Sequence, residues 1–228
     1  YHTARPEKVR RKKLPMEVAV GSRNYTIDAD FRTMIEIEDV LFGKNISEEQ
    51  EAFAREIMQY TEMSHEDACM NARYYAAMDL FYKGNIPDDL GEAADKLLWF
   101  YSCGKEEPKG KKPKQPVLSF RHDFDYINAG FMQDYKIDLL EIDFLHWWKF
   151  MSLFSALHDD CKICEIMGWR GADVTKMDKE QKKRVREMQR IYALPKDIPE
   201  EEKERQDATT DALLHGGDVD AVLRSGQA

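Results

Sequence analysis

His122, Asp123, Asp125, Asp143 and His146 are of the types that ligate hard or borderline divalent cations. On a helix, residues three apart share a face, so His122 would pair with Asp125 and Asp143 with His146, while Asp123 points elsewhere. That is half the layout of a helical di-metal centre. The full pattern needs two Glu-x-x-His pairs and two further glutamates, and the sequence does not supply them. A simpler reading puts Asp123 and Asp125 at the positive end of a helix, with His122 bonding locally. Cys161-x-x-Cys164, with His158 before it, is the second candidate, for redox or zinc chemistry. Asp159 and Asp160 oppose a thiolate there, no thioredoxin-like strand precedes it, and zinc would need a fourth ligand. Glycine-rich phosphate loops, a G-x-S-x-G elbow and repeated CxxC pairs are all missing from the sequence. No catalytic residue, metal ligand or cofactor is therefore assigned, and a non-enzymatic protein is expected.

Binding chemistry is better represented, by adjacent aromatics. Residues 141–151 read E-I-D-F-L-H-W-W-K-F-M, and neighbours on a helix are about 100° apart, so Trp147 and Trp148 must face different directions. The spacing predicts one helix over 139–157 behind an Asp138 cap, apolar nearly all round, buried on several sides or with one side kept for a partner. Trp99-Phe100-Tyr101 and Tyr74-Tyr75 repeat the theme. Such pairs are more often core than interface, yet tyrosine and tryptophan are the commonest anchors of protein contacts. Trp147, Trp148, Trp99, Tyr101, Tyr74 and Tyr75 are the candidate partner-binding residues.

The elements that must position them are mostly helical. Residues 16–20 and 25–27 are β-prone and flank a Gly-Ser-Arg-Asn cluster at 21–24, which predicts a small hairpin. Helical spacing follows from Phe31 to Gly43, from Ser47 with Gln50 as a capping box, from Ser64 to about Tyr82, and from Pro87 to a Gly104 cap. Further helices are expected over 122–135, over 161–167 with an end at Gly168, and over 179–193. The fold class is mainly α, a multi-helix bundle with an N-terminal β-hairpin. Five segments are expected: a basic tail (1–15), a hairpin with helical subdomain (16–104), a Lys/Pro-rich linker (105–116), a second helical subdomain (117–195) and an acidic tail (196–228). The 228 residues carry a net charge of −9, which argues against nucleic acid as a partner. Four cysteines make no disulfide framework, and neither a secretory signal nor a membrane-spanning run is seen, so an intracellular, non-membrane protein is expected.

Several blocks together resemble a bacteriophage family named for gene product fifteen. They are D-F-R-T (30–33), I-P-D-D-L (86–90), L-W-F-Y-S-C-G-K (98–105, beginning at Leu98), F-R-H-D-F-D-Y-I (120–127), I-D-L-L-E-I (137–142), L-H-W-W-K-F (145–150) and I-M-G-W-R (166–170). The family resembles siphophage tail-assembly proteins of Gram-positive phages and prophages, encoded between the tail-tube and tape-measure proteins. The resemblance implies a tail-assembly chaperone in the host cytoplasm whose partner is the tape-measure protein, with other tail-assembly or tail-tube proteins as further partners. The alternative it leaves is a structural tail or neck component retained in the virion.

Overall fold

The computed structural model describes residues 13–43, 45–105 and 116–195. The acidic tail lies outside the described residues, as do the basic tail up to residue 12 and the linker between its two end residues.

The chain begins with an antiparallel hairpin of β1 (Glu17–Val20) and β2 (Arg23–Thr26), paired so that Val20 faces Arg23. The turn is Gly21-Ser22 alone, with Gly21 at φ +56°, and Arg23 and Asn24 belong to β2. Val18 and Val20 alternate into the core while Glu17 and Ala19 stay outside. α1 (Phe31–Phe42) is capped by Asp30 and buries Phe31, Met34, Ile37 and Leu41. α2 (Glu48–Tyr60) starts at the Ser47–Gln50 capping box, with both reciprocal bonds formed. α3 (His65–Phe81) is capped by Ser64. α4 (Leu90–Tyr101) starts later than Pro87, because the Asp89 side chain accepts from Glu92 N and so sets the first turn.

α5 (Phe124–Tyr135), α6 (Trp147–Phe154), α7 (Lys162–Gly171) and α8 (Lys179–Ile191) complete the eight α-helices among the described residues, with a 3-10 turn at Val174–Lys176 before α8. α7 continues through Gly168, where helix geometry is tolerated and a Cβ would meet open space. The single helix expected over 139–157 is not formed. Residues 139–146 are irregular, and only α6 is helical, because the backbone of this stretch bonds elsewhere. Leu139 N donates to Asn128 Oδ1 (2.7 Å) and Leu140 N to Asp138 Oδ1 (2.9 Å). Arg32 Nη2 donates to the carbonyls of Leu139 and Ile142. Leu145 N donates to Asp30 Oδ2, Phe31 N to Leu145 O and Trp147 N to Ala29 O. The connector is thereby clipped to the start of α1, and His146 becomes the N-cap of α6.

One buried cluster runs from Val18 through Ile163 and draws on the hairpin, α1, α3, α4, α5, α6 and α7. The segments on either side of 105–116 share this core. Phe150 is at its centre, stacked on Phe31 (4.9 Å between centroids) and on Phe131 (5.2 Å). α2 packs on α3 through a separate cluster of Ala54, Ala68 and Ala72, lined by half-buried Phe53, Ile57, Met63 and Cys69.

Candidate partner-binding surface

The two adjacent tryptophans part company as helix geometry requires. Trp147 has 0% exposure, donates from Nε1 to Tyr101 O (2.8 Å) and stacks on Tyr101 and Phe150. It is a core residue, and the expectation that it meets a partner directly is corrected. The cause is the non-helical connector, which feeds α6 into the core at its first residue. Trp148, one residue on, is half-buried, donates from Nε1 to Phe100 O (2.8 Å) and meets Trp99 edge-on at 5.3 Å.

Trp99 is the exposed member of this pair, with 42% of its surface accessible. It borders an open groove of about 400 Å³ between β1 and α4, lined also by Glu17, Val18, Ala19, Glu92, Asp95 and Lys96. Ala19 and the strand backbone give it an apolar floor beside the indole, Val18 being turned into the core beneath, and three carboxylates against one ammonium make its rim acidic. Glu92 is held in place by Gly21 N (2.7 Å) and by Lys96 (3.6 Å). α4 is capped by Ser102 rather than by the expected Gly104, and the indole pair explains the glycine two residues beyond that cap. Gly104 sits at φ +67°, and a Cβ there would lie 3.1 Å from Trp148 Cη2 and 3.3 Å from Trp99 Nε1.

The other candidate residues fall outside the groove. Tyr101 is half-buried; its ring lies against Phe42, and its hydroxyl donates to Glu38 Oε1 (3.2 Å). Burial pushes the Glu38 carboxyl up to about 7, with the Tyr101 hydrogen bond opposing and Asp39 adding to the rise. Tyr74 packs on the main core. Tyr75 is exposed on α3 and meets Phe53 of α2 at 5.1 Å. The candidates therefore divide into core (Trp147), groove (Trp99, with Trp148 packed behind it) and positions away from the groove (Tyr101, Tyr74, Tyr75).

Among the described residues His122, Asp125, Asp143 and His146 join no metal-holding group, whereas His158 Nδ1 and Cys161 Sγ both bond Asp134 Oδ2 (3.0 and 3.5 Å). His122 and Asp125 are exposed, whereas Asp123 is buried and held bidentately by Arg170 (2.6 and 2.9 Å), with Ser119 N as a third donor. Its carboxylate is thus a structural anchor. Arg170 also donates to Val117 O and Tyr192 O, so one guanidinium ties together α5, α7 and the end of α8. Sequence reasoning missed this pair, although I-M-G-W-R places one charge, Arg170, within an apolar block and F-R-H-D supplies the carboxylate of Asp123. His146 accepts from Trp148 N at Nδ1 (3.0 Å), so its Nε2–H donates to Pro15 O (2.9 Å) and neither nitrogen is free for a cation. Burial keeps it below the usual histidine range. Burial first, then a hydrogen bond to Asp134, pushes the Cys161 thiol up to about 11, and Cys164 moves the same way. A nucleophilic thiolate is disfavoured at both. The groups that do converge among the described residues are Glu51, His65 and Cys69, within 4.8 Å of one another. Their signal was His65-x-x-x-Cys69, one turn apart on a helix.

No described helix is long and apolar enough to cross a membrane. No curated protein and no solved structure matches the chain. A family model described as Bacteriophage Gp15 protein matches residues 11–194, in agreement with the sequence blocks above. With most of its length inside that match, the chain belongs to the bacteriophage Gp15 protein family.

Proposed function

We propose that this phage protein is a non-enzymatic tail-assembly chaperone that binds the tape-measure protein in the host cytoplasm and keeps it soluble until the tail tube forms around it. The observation that carries the reading is the Trp99 groove: an exposed indole backed by Trp148, over an apolar strand floor, on a protein of a phage family. Helix-in-groove recognition uses apolar anchors spaced at i, i+3, i+4 and i+7 from the bound helix, and a tape-measure segment of that pattern is the expected occupant. The acidic rim favours a segment whose flanks carry lysine or arginine.

Co-expression tests this. The tape measure's soluble fraction should rise with this chain present, and the chain should be absent from purified particles. A tape measure that stays insoluble in both conditions refutes the chaperone reading. Recovery of this chain from particles at fixed copy number favours the structural tail or neck component instead.

A further inference from the structure

We propose that Glu51, His65 and Cys69 form a zinc(II) site that staples α2 to α3, independent of the groove. His65 and Cys69 stand one turn apart on α3, and Glu51 reaches them from α2. Tetrahedral zinc with bonds of about 2.0–2.3 Å to oxygen, nitrogen and sulfur requires ligand-to-ligand distances of roughly 3.3–3.6 Å. The structure has Nε2 of His65 3.0 Å from Glu51 Oε1, Sγ of Cys69 3.6 Å from Nε2, and Sγ 3.7 Å from Glu51 Oε2. The two distances to Glu51 run to different oxygens, so the carboxylate must turn to let one oxygen serve both; with that turn and small shifts of the imidazole and thiol, three corners of a tetrahedron are filled. A thiol and an imidazole beside one carboxylate select a borderline-soft ion over magnesium or calcium. The fourth position is open to water, since the His65 side chain is 56% exposed.

The surrounding charges are mixed. Arg55 donates to Glu51 Oε1 (3.2 Å), the positive charge of Arg73 acts on Cys69, and the start of α3 is itself positive. Glu66 and Asp67 in the same turn offset these. On binding, the cation displaces the Arg55 and His65 hydrogen bonds from the Glu51 carboxylate. Cys69 gives up its S–H proton to solvent as the sulfur–zinc bond forms, so one proton leaves per ion bound. The α2–α3 pair has reason to need such a clip: the two helices meet through three small alanines with half-buried side chains around them.

The test uses the tag-free full chain, dialysed with zinc and separately with cobalt(II). One zinc per chain is expected, and cobalt should give thiolate charge-transfer absorption with the intense visible bands of tetrahedral geometry. Cys69→Ser and His65→Ala should each lower affinity at least tenfold with unchanged circular dichroism, while Cys161→Ser and Cys164→Ser leave it as in the parent. Zinc should also slow amide exchange in α2 and the first turns of α3 by tenfold or more. Failure to bind zinc stoichiometrically overturns the proposal. So does binding that survives Cys69→Ser, or that is lost only with Cys161→Ser or Cys164→Ser.

Discussion

Trp147 and Trp99 are the same residue type with opposite duties, and burial separates them. Trp147→Ala removes a fully enclosed indole and strands the carbonyl of Tyr101, so it should cost about 3–5 kcal/mol, seen as a lower urea midpoint. Trp99→Ala should cost only about 1 kcal/mol, the worth of an aromatic pair at a surface. Similar losses in both would mean that Trp99 is a stability residue. That adjacent tryptophans must diverge was legible from helix geometry. Which of them turns inward was not, because it depends on where α6 begins, and that is decided by Asp30 and Ala29, more than a hundred residues earlier. Glu38 is a second residue-scale case. Its carboxyl is held above its unfolded value, so the folded state binds a proton that the unfolded state releases. Its stabilising contribution is complete below about pH 4.5 and is lost as the pH rises through about 7. His158, held above its usual range chiefly by its hydrogen bond to Asp134, changes stability in the same sense. Comparison of the parent with Glu38→Gln isolates the carboxyl: the variant should lose less stability between pH 4.5 and 7.5, and identical profiles would contradict the assignment.

At the scale of elements, caps were the most legible feature. Ser47 with Gln50 and Ser64 carry their signals within four residues, and both helices begin where those signals stand. The connector over 139–146 was misread because its residues are apolar at helical spacing, while its backbone partners are Arg32, Asp30 and Asn128, on other elements. Hydrophobic period cannot see a long-range clip of that kind. The clip itself is testable. Asp30→Ala removes the N-cap of α1 and the acceptor for Leu145 N together, at a cost of about 1–2 kcal/mol for the cap alone. Hydrogen exchange should quicken at Leu145 and at the start of α1 ahead of α8. Unchanged exchange at Leu145 would show that the connector holds its shape without Asp30.

Across the whole molecule, one core joins the hairpin to six of the helices, leaving α2 and α8 without a residue in it. The mainly helical class and the hairpin were readable from sequence pattern. The groove was not, since it exists only where β1 and α4, some seventy residues apart, come together. Composition showed an excess of aromatics without showing which face they reach. Because the groove combines an apolar floor with an acidic rim, affinity for a helical partner should come mainly from burial at Trp99, with a modest electrostatic increment that salt removes.

The most direct measurement is a binding titration of purified tape-measure segments against the parent chain and Trp99→Ala at low and moderate ionic strength. If the groove is the chaperone site, one apolar-faced helical segment binds the parent, Trp99→Ala weakens it at least tenfold while unfolding at nearly the same urea concentration, and moderate salt leaves most of the affinity in place. Equal binding by both proteins, or a complex that dissociates at moderate salt, would contradict it.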